Sequence, residues 1–476
     1  MGHLLENIYP HVPTWAQNLG ISLYGLSYRR ERLGNGFDKE VQAVREREVW
    51  KAQRFTNYLE ERLRTVLKKA SNEVAFYQER WTAAGIVQDD FNDVSLDVLR
   101  YLPITSKEDL RRSPEAFVGS SKLTTRLVRY NSSGSTGTPT TLICTPQDHR
   151  RFIAAREARS FGWAGTSIKS PRAMLGGRLV VSRANSKPPF YRYNFAERQV
   201  YFSAYHLSPE NVSSYIEGFN RYQPLVLTGY AYSYYLLAQM MLKKGMSLKY
   251  RPQALILSSE KLTAKMKQVI MLAFGARAFE EYGAVENCLL GSECERGNLH
   301  ISPDFGLVEI VDQEGRPVPP GREGRILCTG LVNQTQLLIR YEIGDIGVWS
   351  DAICGCGRRN LPVIKEIVGR LEDVAIAPGG RQMVRFHGIF VGLEDVLEGQ
   401  VIQEAIDTFR VKVVTTGELG ENDRRRIRKR FIERLGRVNV LIEEVSELPR
   451  TERGKFRAVI CKLTAEQKRA ALGEQR

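Results

Sequence analysis

Between Phe37 and Tyr77 apolar residues recur at helical intervals, the intervening positions are strong helix formers, and neither Gly nor Pro interrupts the run. Helix is expected from about residue 38 to 85. From about residue 120 the period shortens. "TTRLVRYN" and "TLICT" alternate like strands, and the helix-like "DHRRFIAAREARSFGWAG" follows them. Further strand-like runs, "RAMLGGRLVV", "PLVLTGY" and "QALILSS", are interleaved with the helical "SPENVSSYIEGFNRY" and "SYYLLAQMMLKKG". Such interleaving predicts an α/β core with mixed sheets. From Gly306 to Trp349 the segments are short and strand-like, which suggests a small β-rich subdomain. Beyond "VGRLEDVAIAPGGRQM" the pattern becomes α+β. The expected division is a large domain over 1–370, with a helical N-terminal extension over about 1–100, and a smaller α+β domain over 371–476.

At 476 residues, with 42% hydrophobic and 9% aromatic side chains, the chain has enough apolar content for a sizeable core. No apolar window approaches a membrane span, and the first twenty residues lack a signal-peptide core, so a cytoplasmic protein is expected. Seven cysteines at this length do not form a disulfide framework. The net charge of +15 is densest in "DRRRIRKRFIERLGR", Asp423 to Arg437. There Ile427, Phe431 and Leu435 share one helical face, which makes the charges a solvated face of an amphipathic helix. No nucleic-acid-binding motif accompanies the charge, and no nucleic-acid partner is expected. Oligomeric state stays open, a dimer included.

"NSSGSTGTPTT" (131–141) lies between two strand-like runs. Its glycines permit positive φ and close backbone approach, and its hydroxyls add donors, so several groups could converge on one phosphate. A polar hairpin loop would have the same composition. It is not a Walker A loop, because a strand follows it and the Lys is missing. Four later motifs accompany it in order: "EEYGAVE" (280–286), "RYEIGDIG" (340–347), "VGRLEDV" (368–374) and "LPRTERGKFR" (448–457). Together the five resemble the motifs of the adenylate-forming superfamily, and most nearly the phenylacetate-CoA ligase family. "WAQNLGISLYG" and "YFSAYHLS" are similar to its CapK-like branch.

That resemblance implies an AMP-forming ligase with a mobile C-terminal lid. A carboxylate attacks the α-phosphorus of ATP, pyrophosphate leaves, and a nucleophile then displaces AMP. Ser132, Ser133, Gly134, Ser135, Thr136, Gly137 and Thr138 would embrace the β- and γ-phosphates. Tyr282, between Glu281 and Gly283, would lie against adenine, with Ser259 and Glu260 on the other wall. Glu286 would hold Mg²⁺. Asp345 would accept both ribose hydroxyls, and Arg370 would reach the ribose or phosphate side. Glu372 would be the hinge, Lys455 the mobile ammonium bridging carboxylate and α-phosphate, and His206 a gate to the carboxylate pocket. "TGYAYSYY" (228–235) would line that pocket. Val285 departs from the family, where a Thr or Ser precedes the motif glutamate.

Cys294, His300, Cys354 and Cys356 form a plausible tetrahedral zinc set, with buried free thiols as the other reading. Similar residues at matching places in phenylacetate-CoA-ligase-like proteins imply a structural zinc, with Cys288 as the runner-up ligand. CoA is the expected acceptor. An amine acceptor, as a CapK-like setting would allow, and a nucleotide-binding protein without turnover are the alternatives.

Overall fold

The computed structural model describes residue 9 and residues 12–120, 125–131, 140–178, 180–181, 187–370, 375–378, 382–383, 387–390, 393, 395–415, 417–449 and 457–472. The N-terminal extension is helical, as its pattern predicts. It forms α1 (Thr14–Leu33), α2 (Phe37–Glu48) and α3 (Ala52–Glu73). α3 buries Phe55, Leu59, Leu63, Val66, Leu67 and Ala70, a stripe at intervals of three and four that packs it onto a sheet.

"TTRLVRYN" and "TLICT" supply β1 (Val128–Asn131) and β2 (Thr141–Cys144), an antiparallel hairpin whose connection is the Ser/Gly-rich loop. α4 (Pro146–Arg156) starts with a capping box. Thr145 accepts from the Asp148 amide, Asp148 accepts from the Thr145 amide and hydroxyl, and Pro146 occupies the first helical position.

After the hairpin come β3 (Arg172–Gly176), β4 (Tyr191–Asn194), β5 (Gln199–Ser203) and β6 (Val226–Tyr230). Helices α5 (Val212–Tyr222), α6 (Ala231–Lys243) and α7 (Ala264–Phe274) alternate with them and with β7 (Ala254–Ser258) and β8 (Ala278–Gly283). Then follow β9 (Leu290–Glu293), β10 (Leu299–Ile301), β11 (Gly306–Val311), β12 (Glu323–Gly330), β13 (Tyr341–Trp349) and β14 (Val363–Arg370). All twelve join one sheet in the order β11-β12-β13-β14-β10-β9-β8-β7-β6-β3-β5-β4. The β-rich segment from Gly306 is therefore continuous with the central sheet, through the β10–β14 pairing, and does not stand apart from it.

The sheet changes character at β8, which pairs parallel with β7 and antiparallel with β9. On the parallel side, one face packs on α5, α6 and α7 and the other on α2 and α4. Its strands are buried on both faces and accordingly read as near-continuous apolar runs. Gly229 in β6 has φ of 134°, and a Cβ there would lie 2.0 Å from the Leu175 carbonyl, so only Gly permits the approach of β6 to β3.

The C-terminal unit carries β15 (Ala375–Ile376) and β16 (Gln382–Met383), then β17 (Val396–Ala405), β18 (Thr408–Thr415), β19 (Asn439–Glu444) and β20 (Val459–Cys461). The last four form a mixed sheet in the order β19-β18-β17-β20. The basic run forms α8 (Glu421–Leu435), and Ile427, Phe431 and Leu435 are buried in the core of this unit as their spacing predicts.

Two buried polar arrangements join separate elements of the fold. Arg159, fully buried, donates to Asp304 at 2.6 and 3.0 Å, and Arg47 of α2 reaches the same carboxylate at 2.7 Å. Burial alone would raise Asp304, but the two guanidiniums hold its carboxyl below the usual range. The second centres on His149, whose Nδ1 lies 2.9 Å from the Tyr130 hydroxyl. Burial, followed by the charges of Arg32 and Arg156, pushes His149 down to about 4.

Arg159→Ala leaves Asp304 in the core with half its compensation. It is expected to cost about 3–5 kcal/mol in urea unfolding, far beyond a surface substitution. His149 stays neutral in the fold while the unfolded chain takes up a proton near pH 6.5. Stability should therefore fall as pH drops from 6.5 toward 4, by on the order of 3 kcal/mol. His149→Gln should flatten that part of the pH–stability curve, and a curve unchanged from wild type would contradict the assignment.

Candidate functional site

Ligands in open α/β sheets sit outside the carboxyl ends of the parallel strands, at the point where the topology switches. Here that edge is formed by the ends of β3, β5, β6, β7 and β8, and residues of "EEYGAVE" and "RYEIGDIG" meet at it. Tyr282 and Gly283 end β8. The Tyr282 hydroxyl donates to Asp345 Oδ2 at 2.7 Å, so a residue of β13 reaches a residue of β8 across the intervening strands. Burial and the Asp345 charge push the Tyr282 phenol well above its ordinary value, so it remains a donor.

Glu286 lies three residues beyond β8 and is buried. It accepts from Thr140 Oγ1 at 2.9 Å and from the Tyr341 hydroxyl at 3.0 Å. Both bonds fall on Oε1, and Oε2 receives none among the described residues. A buried carboxylate with one oxygen anchored and the other clear suits a hard cation. Neither Thr140 nor Tyr341 was among the sequence candidates, although each stands inside a quoted motif. Their side chains matter only because β2 and β13 converge on Glu286, and one-dimensional spacing does not report that convergence.

Strand alternation separates Glu281 from Tyr282. Glu281 faces α4, where Arg156 grips it with Nε at 3.0 Å and Nη2 at 2.7 Å. Glu260 accepts from the Tyr232 amide at 2.9 Å, which satisfies a donor of the first turn of α6. Ser259 has φ of +73°, Asn287 +47° and Arg340 +47°. Three of the five non-glycine residues in the left-handed region among the described residues thus lie beside Glu260, Glu286 and Tyr341, and such strain concentrates where a site must be held in one shape.

His206 follows β5. Its Nδ1 lies 2.8 Å from Ser203 Oγ, and its ring stacks on Phe190 at 4.8 Å between centroids. Of the "TGYAYSYY" tyrosines, Tyr234 is a core residue with no exposure, while Tyr230 ends β6 at the edge itself. Val285 packs against the apolar cluster containing Phe152 and Phe305, so the place of the family hydroxyl is taken by core packing.

Asp345 pairs in register with the Arg370 backbone across β13 and β14, but the Arg370 side chain lies outside the described residues. So do the loop Ser132, Ser133, Gly134, Ser135, Thr136, Gly137 and Thr138, the expected hinge Glu372, and Lys455.

The cysteine set converges away from this edge. Ligand atoms of Cys294, His300, Cys354 and Cys356 all lie within 4.8 Å of one another. Cys294 and Cys354 sulfurs are 3.7 Å apart, and Cys356 Sγ is 3.3 Å from His300 Nε2. Zinc–sulfur bonds of about 2.3 Å make a tetrahedral edge of about 3.8 Å, so the spacing fits. His300 Nδ1 is 2.7 Å from the Leu361 carbonyl, which turns Nε2 toward the sulfurs, and burial lowers the imidazole pKa, favouring the neutral ligand form. Cys288, the runner-up, stands outside this cluster: its free thiol is buried in the core and hydrogen-bonded with that of Cys328.

Residues 380–462 match the CapK C-terminal domain model. The chain is 27% identical to protein CapK of Staphylococcus aureus over 467 residues, which covers 96% of this chain and 99% of that one. It is 26% identical to the phenylacetate-coenzyme A ligase of Thermus thermophilus over 455 residues, covering 84% and 95%. Among solved structures, 2-hydroxyisobutyryl-CoA ligase in its postadenylation state with R3-HIB-AMP superposes with a TM-score of 0.68 at 21% identity, over 89% of this chain and 92% of that one. The same ligase in an open conformation gives 0.56 over 88% and 93%, at 20% identity. The chain is therefore a homologue of CapK and of the phenylacetate-CoA ligases, with a CapK C-terminal domain and the fold of the adenylate-forming CoA ligases.

Proposed function

We propose that this chain is an AMP-forming ligase that activates a carboxylic acid with ATP and passes the acyl group to CoA. The observation that carries the reading is the meeting of Tyr282, Asp345 and Glu286 at the edge where the sheet switches from parallel to antiparallel. In the first step a carboxylate oxygen attacks the α-phosphorus, and the bond to the β-phosphate breaks. In the second the CoA sulfur attacks the acyl carbon, AMP departs, and the thiol proton is released.

Each residue has a role within that chemistry. Tyr282 offers adenine a face, and Asp345 takes the ribose hydroxyls. Glu286 Oε2 would hold Mg²⁺, which when bound neutralises phosphate charge. The loop from Ser132 to Thr138 would surround the β- and γ-phosphates with amide and hydroxyl donors. Lys455 would bring its ammonium between carboxylate and α-phosphate, Arg370 would face the ribose or phosphate side, and Glu372 would turn the C-terminal domain. Glu281 and Glu260 act as positioning residues, the first fixing β8 through Arg156 and the second holding the start of α6. His206, stacked on Phe190, borders the carboxylate pocket. Zinc on Cys294, His300, Cys354 and Cys356 would be structural, since protein ligands fill all four positions. A cytoplasmic location fits reduced thiols and a CoA acceptor, and no described helix is long and apolar enough to cross a membrane. An amine acceptor, as a CapK-like setting would allow, is the second reading, and the match of residues 380–462 to the CapK C-terminal domain is what supports it.

ATP–pyrophosphate exchange with a panel of acids tests the reading, and absence of exchange with every acid in a folded, Mg²⁺-supplemented sample would overturn it. Lys455→Ala is expected to abolish exchange while ATP still binds in equilibrium titration. AMP release dependent on CoA, and not on amines, distinguishes the two acceptors. Metal analysis should find one zinc per chain. Cys354→Ser should lower that content, and a metal-free, stable wild type would contradict the zinc assignment.

A further inference from the structure

Between α1 and the sheet lies a group of charged side chains with no part in the chemistry above. Arg32 of α1 and Arg172 of β3 share the Glu197 carboxylate, Arg172 at 2.8 Å. Arg156 is matched by Glu281. A fourth guanidinium, Arg178, stands within electrostatic range of Arg32 and Arg172. No carboxylate pairs with it among the described residues. It donates to the Tyr201 hydroxyl at 3.3 Å, lies 5.0 Å from the centre of that ring, and bonds to Tyr28. Four arginines against two glutamates leave two positive charges without a carboxylate among the described residues, and neighbouring His149 is held neutral.

Position gives this excess a use. Arg178 lies two residues beyond β3, which sits between β5 and β6 in the sheet. The carbonyl of Gly177 accepts from Tyr205 at 3.0 Å, and Gly176 lies under the Tyr230 ring. The backbone at Arg178 therefore reaches the same edge as His206 and Tyr230, while its guanidinium lies against Tyr201 and Tyr28. Its side is open to solvent, with Tyr24 of α1 66% exposed beside Tyr28. Its bonds to Tyr201 and Tyr28 use two of its five N–H donors, and a planar fork with donors to spare fits a carboxylate or phosphate.

We propose that Arg178 binds a second anionic group on the acid substrate, so that the acid activated is a dicarboxylate or a phosphorylated carboxylate. This rests on the ligase reading above. The competing role is packing alone, in which Arg178 only covers the Tyr201 ring at the protein surface.

The test is ATP–pyrophosphate exchange with acids matched in size: butyrate and succinate, benzoate and terephthalate, glycerate and 3-phosphoglycerate. The wild type should show a higher kcat/KM for the doubly anionic member of at least one pair, and the pair with the largest ratio distinguishes carboxylate from phosphate. Arg178→Ala should lower that ratio by about tenfold or more, the range for a lost charge-assisted hydrogen bond, and Arg178→Lys should restore part of it. Thermal melting confirms that both variants are folded. Exchange with singly charged acids at equal or higher kcat/KM, or a ratio unchanged in folded Arg178→Ala, overturns this proposal and leaves the ligase reading standing. No exchange with any acid removes both.

Discussion

β8 cannot continue the parallel sheet and the antiparallel one identically, and that change of direction is what creates a site. A strand paired parallel on one edge and antiparallel on the other has its carboxyl end beside the carboxyl end of β7 and the amino end of β9. Chain leaving β8 must turn there with no strand continuing the layer. Tyr282, Gly283 and Glu286 occupy that turn. Everything else positions groups around it. β2 supplies Thr140 just before its first residue, β13 supplies Tyr341 and Asp345, and the loop after β7 brings Glu260 to the start of α6.

Those groups come from parts of the chain far apart in sequence, so the site exists only when the sheet is complete. The buried Arg159–Asp304 pair serves that end. It joins the segment after α4 to the turn between β10 and β11, and Arg47 ties α2 to the same carboxylate. Removing three charges from water is costly, and the arrangement holds because each carboxylate oxygen has a guanidinium partner. Glu281 and Arg156 repeat the device one residue from Tyr282. Rigid charge pairs directly behind this turn limit the movement of the side chains on it.

Much of this was legible in the sequence. The helical extension, the interleaved strands and helices, and the buried face of α8 follow from periodicity, because burial on one side imposes it. The strand in "RAMLGGRLVV" ends at Gly176, earlier than its apolar run, because Val181 is buried in the helix-covered core without strand pairing. The β-rich segment looked separate because sheet continuity depends on the β10–β14 pairing, between strands more than sixty residues apart with no local signature. The cysteine set could be named from the sequence, but its convergence into one cluster depends on the pairing of β10 with β9 and β14, which spacing does not report. Tyr341 and Thr140 were hidden for the same reason. Arg178 had no motif to mark it, and only the surplus of guanidiniums over carboxylates in space sets it apart.

A crystal structure with a non-hydrolysable acyl-adenylate analogue and Mg²⁺ tests most directly whether the β8 edge holds the nucleotide. The expected result places adenine against Tyr282, the ribose hydroxyls on Asp345 and the phosphate within reach of the Glu286 side of the edge. An analogue bound elsewhere, with the Tyr282–Asp345 hydrogen bond intact and no ligand contact at Glu286, would contradict it.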